Sequence, residues 1–92
     1  MATPPRILHV GAGGSRLPAW LAGEEVRLDI NADCRPDIVA SMLDMGDIGA
    51  FEGVYSSHCL EHVYPHEVPV ALGEFLRVLR PGGAAGVIVP DL

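Results

Sequence analysis

A chain of 92 residues provides one domain at most, because domains typically run to roughly 100–200 residues. Asp and Glu outnumber Lys and Arg by 12 to 6, and the scattered Arg residues form no basic stripe, so direct nucleic-acid binding is not expected. The start of the chain lacks the apolar core of a secretion signal, and no apolar run approaches the ~20 residues of a membrane span. A cytoplasmic location is therefore expected. Cys34 and Cys59 lack metal-site spacing and are expected to be free thiols.

Three apolar runs predict β-strands in the first half of the chain. The first strand, Arg6–Val10, ends in the glycine turn Gly11–Gly14. The segment Leu17–Ala22 follows and can form one or two helical turns, with a proline at the first helical position. The second strand is Val26–Ile30, and the third, after a polar turn, is Asp37–Ser41.

The second half of the chain predicts two more strands that flank a helix. Phe51–Ser56 is the fourth strand. An amphipathic helix is expected from Pro65 or Pro69 to Arg80, because apolar residues recur there at i, i+3 and i+4. These residues are Val68, Leu72, Phe75, Leu76 and Leu79. The Pro-Gly-Gly segment that follows should end the helix, and Ala84–Val89 is the fifth strand.

Apolar strands that alternate with helices or loops predict an α/β fold with a parallel sheet covered on both faces. Ligands of such sheets bind at the carboxyl ends of the strands, where the strand order reverses. The residues directly after each strand are therefore the candidates for a functional site.

The first two strand ends indicate a nucleoside-type ligand. Glycines from Gly11 onward let a ligand approach the main chain closely. The nicotinamide-dinucleotide pattern G-x-G-x-x-G is broken, because position 16 is Arg. Asp29 follows 18 residues after Gly11, the spacing of a carboxylate that accepts hydrogen bonds from a ribose diol. Asp33 is the alternative for this role, and a solvated strand-end Asp29 is the plain structural interpretation.

The segment after the fourth strand contains His58-x-x-Glu61-His62, which matches the zinc-protease pattern H-x-x-E-H. A zinc site would need these residues on a continuous helix. Here they follow a strand, and Pro65 comes three residues later, so no metal is expected. His58 and Glu61 are instead expected to line the ligand cleft.

Four segments in order resemble class I S-adenosylmethionine-dependent methyltransferases, and most closely the type 11 methyltransferase domains. They are Ile7–Gly13, Val26–Ile30, Tyr55–His62 and Arg77–Gly83. In the type 11 domains a Ser-His-x-Leu-Glu-His segment precedes a helix that ends in R-V-L-[KR]-P-G-G. The resemblance covers nearly the whole chain.

The resemblance implies a Rossmann-like, mostly parallel sheet with strand order 3-2-1-4-5. The family sheet has seven strands in the order 3-2-1-4-5-7-6, so the last two are expected to be absent from residues 1–92, which form a single, truncated domain. Those strands normally cover one sheet edge and part of the acceptor pocket. The fifth strand would then expose an edge, so the chain is expected to self-associate or to belong to a longer polypeptide.

The resemblance also implies a cofactor, S-adenosyl-L-methionine, and the residues that hold it. The implied cofactor contacts are Gly11, Ala12, Gly13, Asp29, Ile30, Ser41, Met42 and Ser57. Asp29 would take the ribose hydroxyls, and Ser41 and Met42 would meet the adenine. His58 would lie near the sulfonium and the methyl acceptor as the candidate catalytic base. Glu61 and His62 are expected to brace the turn into the helix.

Three departures from the family pattern bear on the site. His9 stands where an acidic residue is common, and Ser15 replaces a third glycine. Ser41 stands where an Asp often accepts a hydrogen bond from the adenine amino group, and Asp44 is close enough in sequence to substitute.

The expected function is methyl transfer to a small-molecule, glycan-like or lipid-like acceptor. Such a transfer is an in-line displacement that needs the acceptor atom about 3–3.5 Å from the methyl carbon. The alternative is a catalytically inactive cofactor-binding module that works with a partner chain.

Overall fold

The computed structural model describes residues 4–57 and 63–88, the last five of these as backbone alone. The strands are β1 (Arg6–Val10), β2 (Glu24–Asp29), β3 (Ile38–Val39), β4 (Phe51–Ser57) and β5 (Leu79–Ile88). A helix, α1 (Val68–Arg77), precedes β5, and 3-10 turns lie at Ala32–Cys34 and Pro65–Glu67. Within the described ranges, no helix has the length and apolar character needed to cross a membrane.

The five strands form one sheet in the order β3-β2-β1-β4-β5, and every neighbouring pair is parallel. This confirms the α/β, Rossmann-like sheet and its strand order. The order reverses between β1, the central strand, and its neighbour β4. His9 of β1 lies opposite Arg27 of β2 on one side and Tyr55 of β4 on the other. Because the strands are parallel, their carboxyl ends meet at one edge of the sheet.

Three segments of the first half of the chain differ from the sequence prediction. The segment Leu17–Ala22 contains no helix, only a turn in which the N–H of Leu21 donates to the carbonyl of Pro18 at 2.9 Å. Six residues are too few to offset the cost of helix nucleation without packing. β3 has two residues instead of five, and β2 starts two residues before Val26.

The end of the helix also differs from the prediction. α1 ends at Arg77, three residues before Arg80, and the Pro-Gly-Gly segment lies within β5 instead of separating the two elements. Phe51 of β4 pairs with Leu79, but Gly53, two residues on, pairs with Ala84, five residues on. The segment between the pairs bulges away from β4. A Cβ at Gly83 would lie 2.9 Å from the carbonyl oxygen of Glu52, so only glycine lets the strand rejoin β4 here.

The core lies between the sheet and α1. Its buried members are Leu8, Val10, Leu28, Met45, Phe51, Val54, Ala71, Phe75 and Val78. Side chains alternate along each strand, so His9 and Tyr55 lie on the opposite face of the sheet from this core. The helix buries a narrower stripe than predicted, because Leu72 and Leu76 are exposed.

Candidate functional site

A cavity of about 480 Å³ lies where the carboxyl ends of β1, β2 and β3 meet; we call it the strand-end cavity. Its lining residues are Val10, Gly11, Leu28, Asp29, Ile30, Ala40, Ser41, Met42, Leu43, Val63 and Glu67. Most of this wall is apolar, with a few polar groups among the apolar side chains, which is the usual composition of a small-molecule site.

Five of the eight residues predicted to contact a cofactor line this one cavity: Gly11, Asp29, Ile30, Ser41 and Met42. Ala12 and Ser57 line a neighbouring cavity instead, and Gly13 lines neither. The candidate base His58, with Glu61 and His62, lies outside the described residues. The remaining lining residues were not predicted as cofactor contacts: Val10, Leu28, Ala40, Leu43, Val63 and Glu67.

The carboxylate of Asp29 is held in place by two backbone N–H groups. Gly13 donates to Oδ2 at 2.7 Å and Asn31 donates to Oδ1 at 2.8 Å. An ionised carboxylate has about four acceptor positions, so both oxygens keep the capacity to accept further hydrogen bonds from a ligand. Asp33, the alternative acid, is exposed in the 3-10 turn and is not part of the cavity wall.

The glycine turn brings the end of β1 to Asp29. Gly11 and Gly13 have φ of 66° and 53°, the left-handed region that favours glycine. A Cβ at Gly13 would have nothing within 4 Å, so the backbone angle, and not the available space, requires glycine there. The N–H groups of Gly11 and Ala12 both donate to the carbonyl of Leu28, which fixes the turn to β2.

A tight turn after β3 presents the residues predicted to meet an adenine ring. The N–H of Leu43 donates to the hydroxyl of Ser41 at 3.1 Å, and the N–H of Asp44 donates to the carbonyl of Ser41. Ser41 and Met42 line the cavity, whereas Asp44 is exposed and does not.

The helix holds the segment that follows this turn. Glu74 accepts a hydrogen bond from the N–H of Met45 at 2.8 Å, and Arg77 donates to both oxygens of Glu74 and to the carbonyl of Gly46. The hydrogen bonds from the Arg77 guanidinium and from the Met45 N–H lower the pKa of the Glu74 carboxyl to about 2. The Glu74–Arg77 pair thus ties the segment after Met42 to α1.

A second cavity, of about 300 Å³, lies where the strand order reverses; we call it the switch-point cavity. It is lined by His9, Gly11, Ala12, Ser15, Arg16, Pro18, Tyr55 and Ser57. Sequence reasoning missed Tyr55 and the buried position of His9. The alternation of side chains along β1 and β4 was the signal that could have placed both on the face opposite Leu8 and Val54.

No group of three or more His, Cys, Asp or Glu side chains suited to a metal ion occurs in residues 4–57 and 63–83. The His58-x-x-Glu61-His62 pattern lies outside those ranges. Cys34 is a free thiol.

Comparison with protein families matches residues 8–87 to a methyltransferase domain, that of type 11. No curated protein matches the chain. The family match runs from β1 into β5, and domains of this family generally bind S-adenosylmethionine. Because the match covers most of the chain and the sheet has the order that the sequence resemblance implied, the chain belongs to the type 11 family of class I S-adenosylmethionine-dependent methyltransferase domains.

Proposed function

We propose that this domain binds S-adenosyl-L-methionine in the strand-end cavity and transfers its methyl group to a small-molecule, glycan-like or lipid-like acceptor. The observation that carries the proposal is the Asp29 carboxylate, fixed at the cavity wall by the N–H groups of Gly13 and Asn31. A cavity of about 480 Å³ also falls within the range of small-molecule sites, roughly 300–1,000 Å³.

The cavity offers groups for each part of the nucleoside. The Asp29 oxygens would accept hydrogen bonds from the ribose hydroxyls. Val10, Leu28 and the thioether of Met42 would provide apolar surface for the flat adenine ring, and the Ser41 hydroxyl would accept from its amino group. These acceptor groups and apolar side chains therefore fit a neutral ribose and an aromatic base.

The cofactor and the protein chain contribute different parts of the methyl-transfer reaction. The bound cofactor supplies an electrophilic methyl group on a sulfonium sulfur. The chain contributes binding and orientation, which raise the rate by holding the acceptor atom close to that methyl group. No group of the chain needs to form a covalent bond in this reaction.

The test is a calorimetric titration of the 92-residue chain with S-adenosylhomocysteine, and with NAD as the control ligand. We expect S-adenosylhomocysteine to bind and NAD to bind at least tenfold more weakly. Tighter binding of NAD, or no binding of S-adenosylhomocysteine, would refute the proposal.

A second assay follows methyl transfer from labelled S-adenosylmethionine to acceptors of the three classes. Transfer above the uncatalysed rate supports the enzyme. Cofactor binding without any transfer supports the alternative, a cofactor-binding module that works with a partner chain.

A further inference from the structure

Arg27 of β2 is a buried arginine on the face of the sheet opposite the core. It is 7% exposed, and its neighbour Leu28 points into the core. The guanidinium donates to the carbonyl of Gly13 and, at 3.5 Å, to the carbonyl of Arg35. Among the described residues, no hydrogen-bond partner reaches its buried Nε. Because a guanidinium is always protonated in proteins, Arg27 keeps a full charge away from water with carbonyl oxygens as its partners.

The acids closest to Arg27 along the chain do not neutralise its charge. Oε2 of Glu25 lies 2.8 Å from Nδ1 of His9 and accepts from the N–H of Leu17 at 3.0 Å. Oδ2 of Asp37 accepts from the backbone N–H of Arg27 at 2.8 Å. Within the part of the chain whose side chains the structure describes, no carboxylate forms an ion pair with the guanidinium. A buried, unpaired charge is less favourable than an apolar side chain of similar length, so fold stability does not explain its presence.

The two carbonyl groups that Arg27 contacts belong to the segments that hold the Asp29 carboxylate. The N–H of Gly13 donates to Oδ2 of Asp29 at 2.7 Å while its carbonyl accepts from Arg27. The N–H of Asn31 donates to Oδ1 at 2.8 Å, and Asn31 is the N-cap of the 3-10 turn whose C-cap is Arg35. Arg27 thus connects the glycine turn to the end of the 3-10 turn, and these two segments supply both donors to Asp29.

A guanidinium suits this connection better than an ammonium group would. Its donors are fixed in a planar, forked arrangement that can reach two acceptors at once, whereas the ammonium of Lys is a compact charge on a flexible stem. Arg35 has a φ of 52°, in the left-handed region that residues other than glycine rarely adopt. The hydrogen bond from Arg27 therefore helps to fix a turn end that the local backbone does not favour.

We propose that Arg27 is a positioning residue for the cofactor: by holding these two carbonyl groups, it fixes the two N–H donors that orient Asp29 toward the ribose. Arg27 lines neither cavity, so it acts through the backbone without touching the ligand. A carboxylate oriented in advance loses less conformational entropy on binding, which raises the affinity. This inference rests on the proposed function.

A double-mutant cycle with Asp29 tests the inference. Arg27→Met keeps the length of the side chain and removes its donors, so the affinity for S-adenosylhomocysteine should fall at least about fivefold by calorimetry. In the Asp29→Asn background the same substitution should lower the affinity by less than about twofold, because the group that Arg27 positions is already altered. The matched control is Arg80→Met, which removes the same charge from an exposed position on β5 and should leave the affinity within about twofold of the parent.

Two outcomes of the cycle would overturn the inference. Equal affinities of the parent and Arg27→Met would show that Arg27 has no part in binding. An equal fall in both backgrounds would show that Arg27 acts independently of Asp29, as a residue that only supports the fold would.

Hydrogen exchange tests the arrangement without a ligand. The N–H groups of Gly13 and Asn31 should exchange with solvent at least about fivefold faster in Arg27→Met, whereas the N–H of Leu8, buried in β1, should stay within about twofold. Unchanged exchange at Gly13 and Asn31 would overturn the inference. If S-adenosylhomocysteine does not bind the parent, the proposed function fails, and these exchange rates still decide whether Arg27 holds the two donors.

Urea unfolding separates positioning from stabilisation. Because Arg27→Met removes an unpaired buried charge, its urea midpoint should equal or exceed that of the parent. Arg27→Lys keeps the charge without the forked donors, so it should bind S-adenosylhomocysteine as weakly as Arg27→Met and gain no stability. A lower midpoint for Arg27→Met would show that the fold requires the guanidinium, and full affinity in Arg27→Lys would show that the charge alone suffices; either result would overturn the inference.

Discussion

At the scale of single residues, Asp29 connects the glycine turn to the strand-end cavity. Its oxygens accept from Gly13 and Asn31, so the carboxylate keeps one orientation before any ligand arrives. A group oriented in advance loses little conformational entropy on binding, and its hydrogen bonds to a ribose contribute more fully to affinity.

Replacing Asp29 with Asn tests this role with little change in shape. The charge-assisted hydrogen bonds to the ribose would be lost, each worth about 1.5–3 kcal/mol, so the affinity for S-adenosylhomocysteine should fall roughly tenfold or more. The matched control is Asp33→Asn, because Asp33 is an exposed acid close by that does not line the cavity. Calorimetry on both variants measures the difference. If Asp29→Asn and the parent bind S-adenosylhomocysteine with equal affinity, Asp29 does not contact the ligand.

The sequence located the residues that follow strands but not those that pair across them. Asp29, Ser41 and Met42 could be predicted because strand ends are visible as changes from apolar to polar residues. The His9–Glu25 pair could not, because it depends on the register between β1 and β2 and on β2 starting before Val26. A shift of one residue in register reverses which side chains share a face.

At the scale of elements, the Glu74–Arg77 pair joins α1 to the segment after the predicted adenine-binding turn. Glu74 accepts a hydrogen bond from the N–H of Met45, and Arg77 donates one to the carbonyl of Gly46. Through these two bonds α1 supports the segment that follows Ser41 and Met42, although neither Glu74 nor Arg77 lines the strand-end cavity.

The stability of this connection should depend on pH. Arg77 and the N–H of Met45 lower the pKa of the Glu74 carboxyl from near 4.5 to about 2. A carboxyl with a lowered pKa stabilises the fold above its unfolded pKa, so the contribution is complete above about pH 4.5 and is lost as the pH falls from there toward 2. Glu74→Gln should therefore lower the free energy of unfolding at neutral pH by about 1 kcal/mol and lose less stability than the parent on acidification.

Urea unfolding of the chain at a series of pH values between neutral and about 3 measures this effect. Glu24→Gln is the matched control, since Glu24 is exposed at the start of β2. Parallel pH profiles for the parent and Glu74→Gln would show that the pair contributes nothing to folding.

The strands were predictable to within a few residues, but the junction between α1 and β5 was not. A Pro-Gly-Gly segment normally separates elements, and here it lies inside a strand as a bulge. The strand can contain this segment because Gly83 approaches the carbonyl of Glu52 closely. That tertiary contact is not visible in any local sequence pattern. The segment Leu17–Ala22 lacks a helix because it is short and its Trp20 is largely exposed, with an edge-on contact to Tyr55.

At the scale of the whole molecule, the two edges of the sheet differ in length. One edge is β3, which has two residues, and the other is β5, which has ten and pairs with β4 alone among the described strands. α1 contacts β5 and leaves Val70 and Leu76 exposed. A long unpaired edge beside apolar side chains favours pairing with another chain.

We therefore expect the 92-residue chain to self-associate through the β5 side of the sheet. Light scattering at micromolar concentration should give a mass above that of the monomer, and the mass should fall on dilution. Leu76, 67% exposed on α1, and Val39, 58% exposed on β3, provide a matched pair of exposed apolar residues on opposite sides of the sheet. Leu76→Glu should shift the protein toward monomer, because like charges would face each other across a symmetric contact, whereas Val39→Glu should leave the mass unchanged. A monomeric mass at every concentration would contradict the expectation. If Val39→Glu dissociates the protein and Leu76→Glu does not, the contact between chains lies at the β3 edge instead.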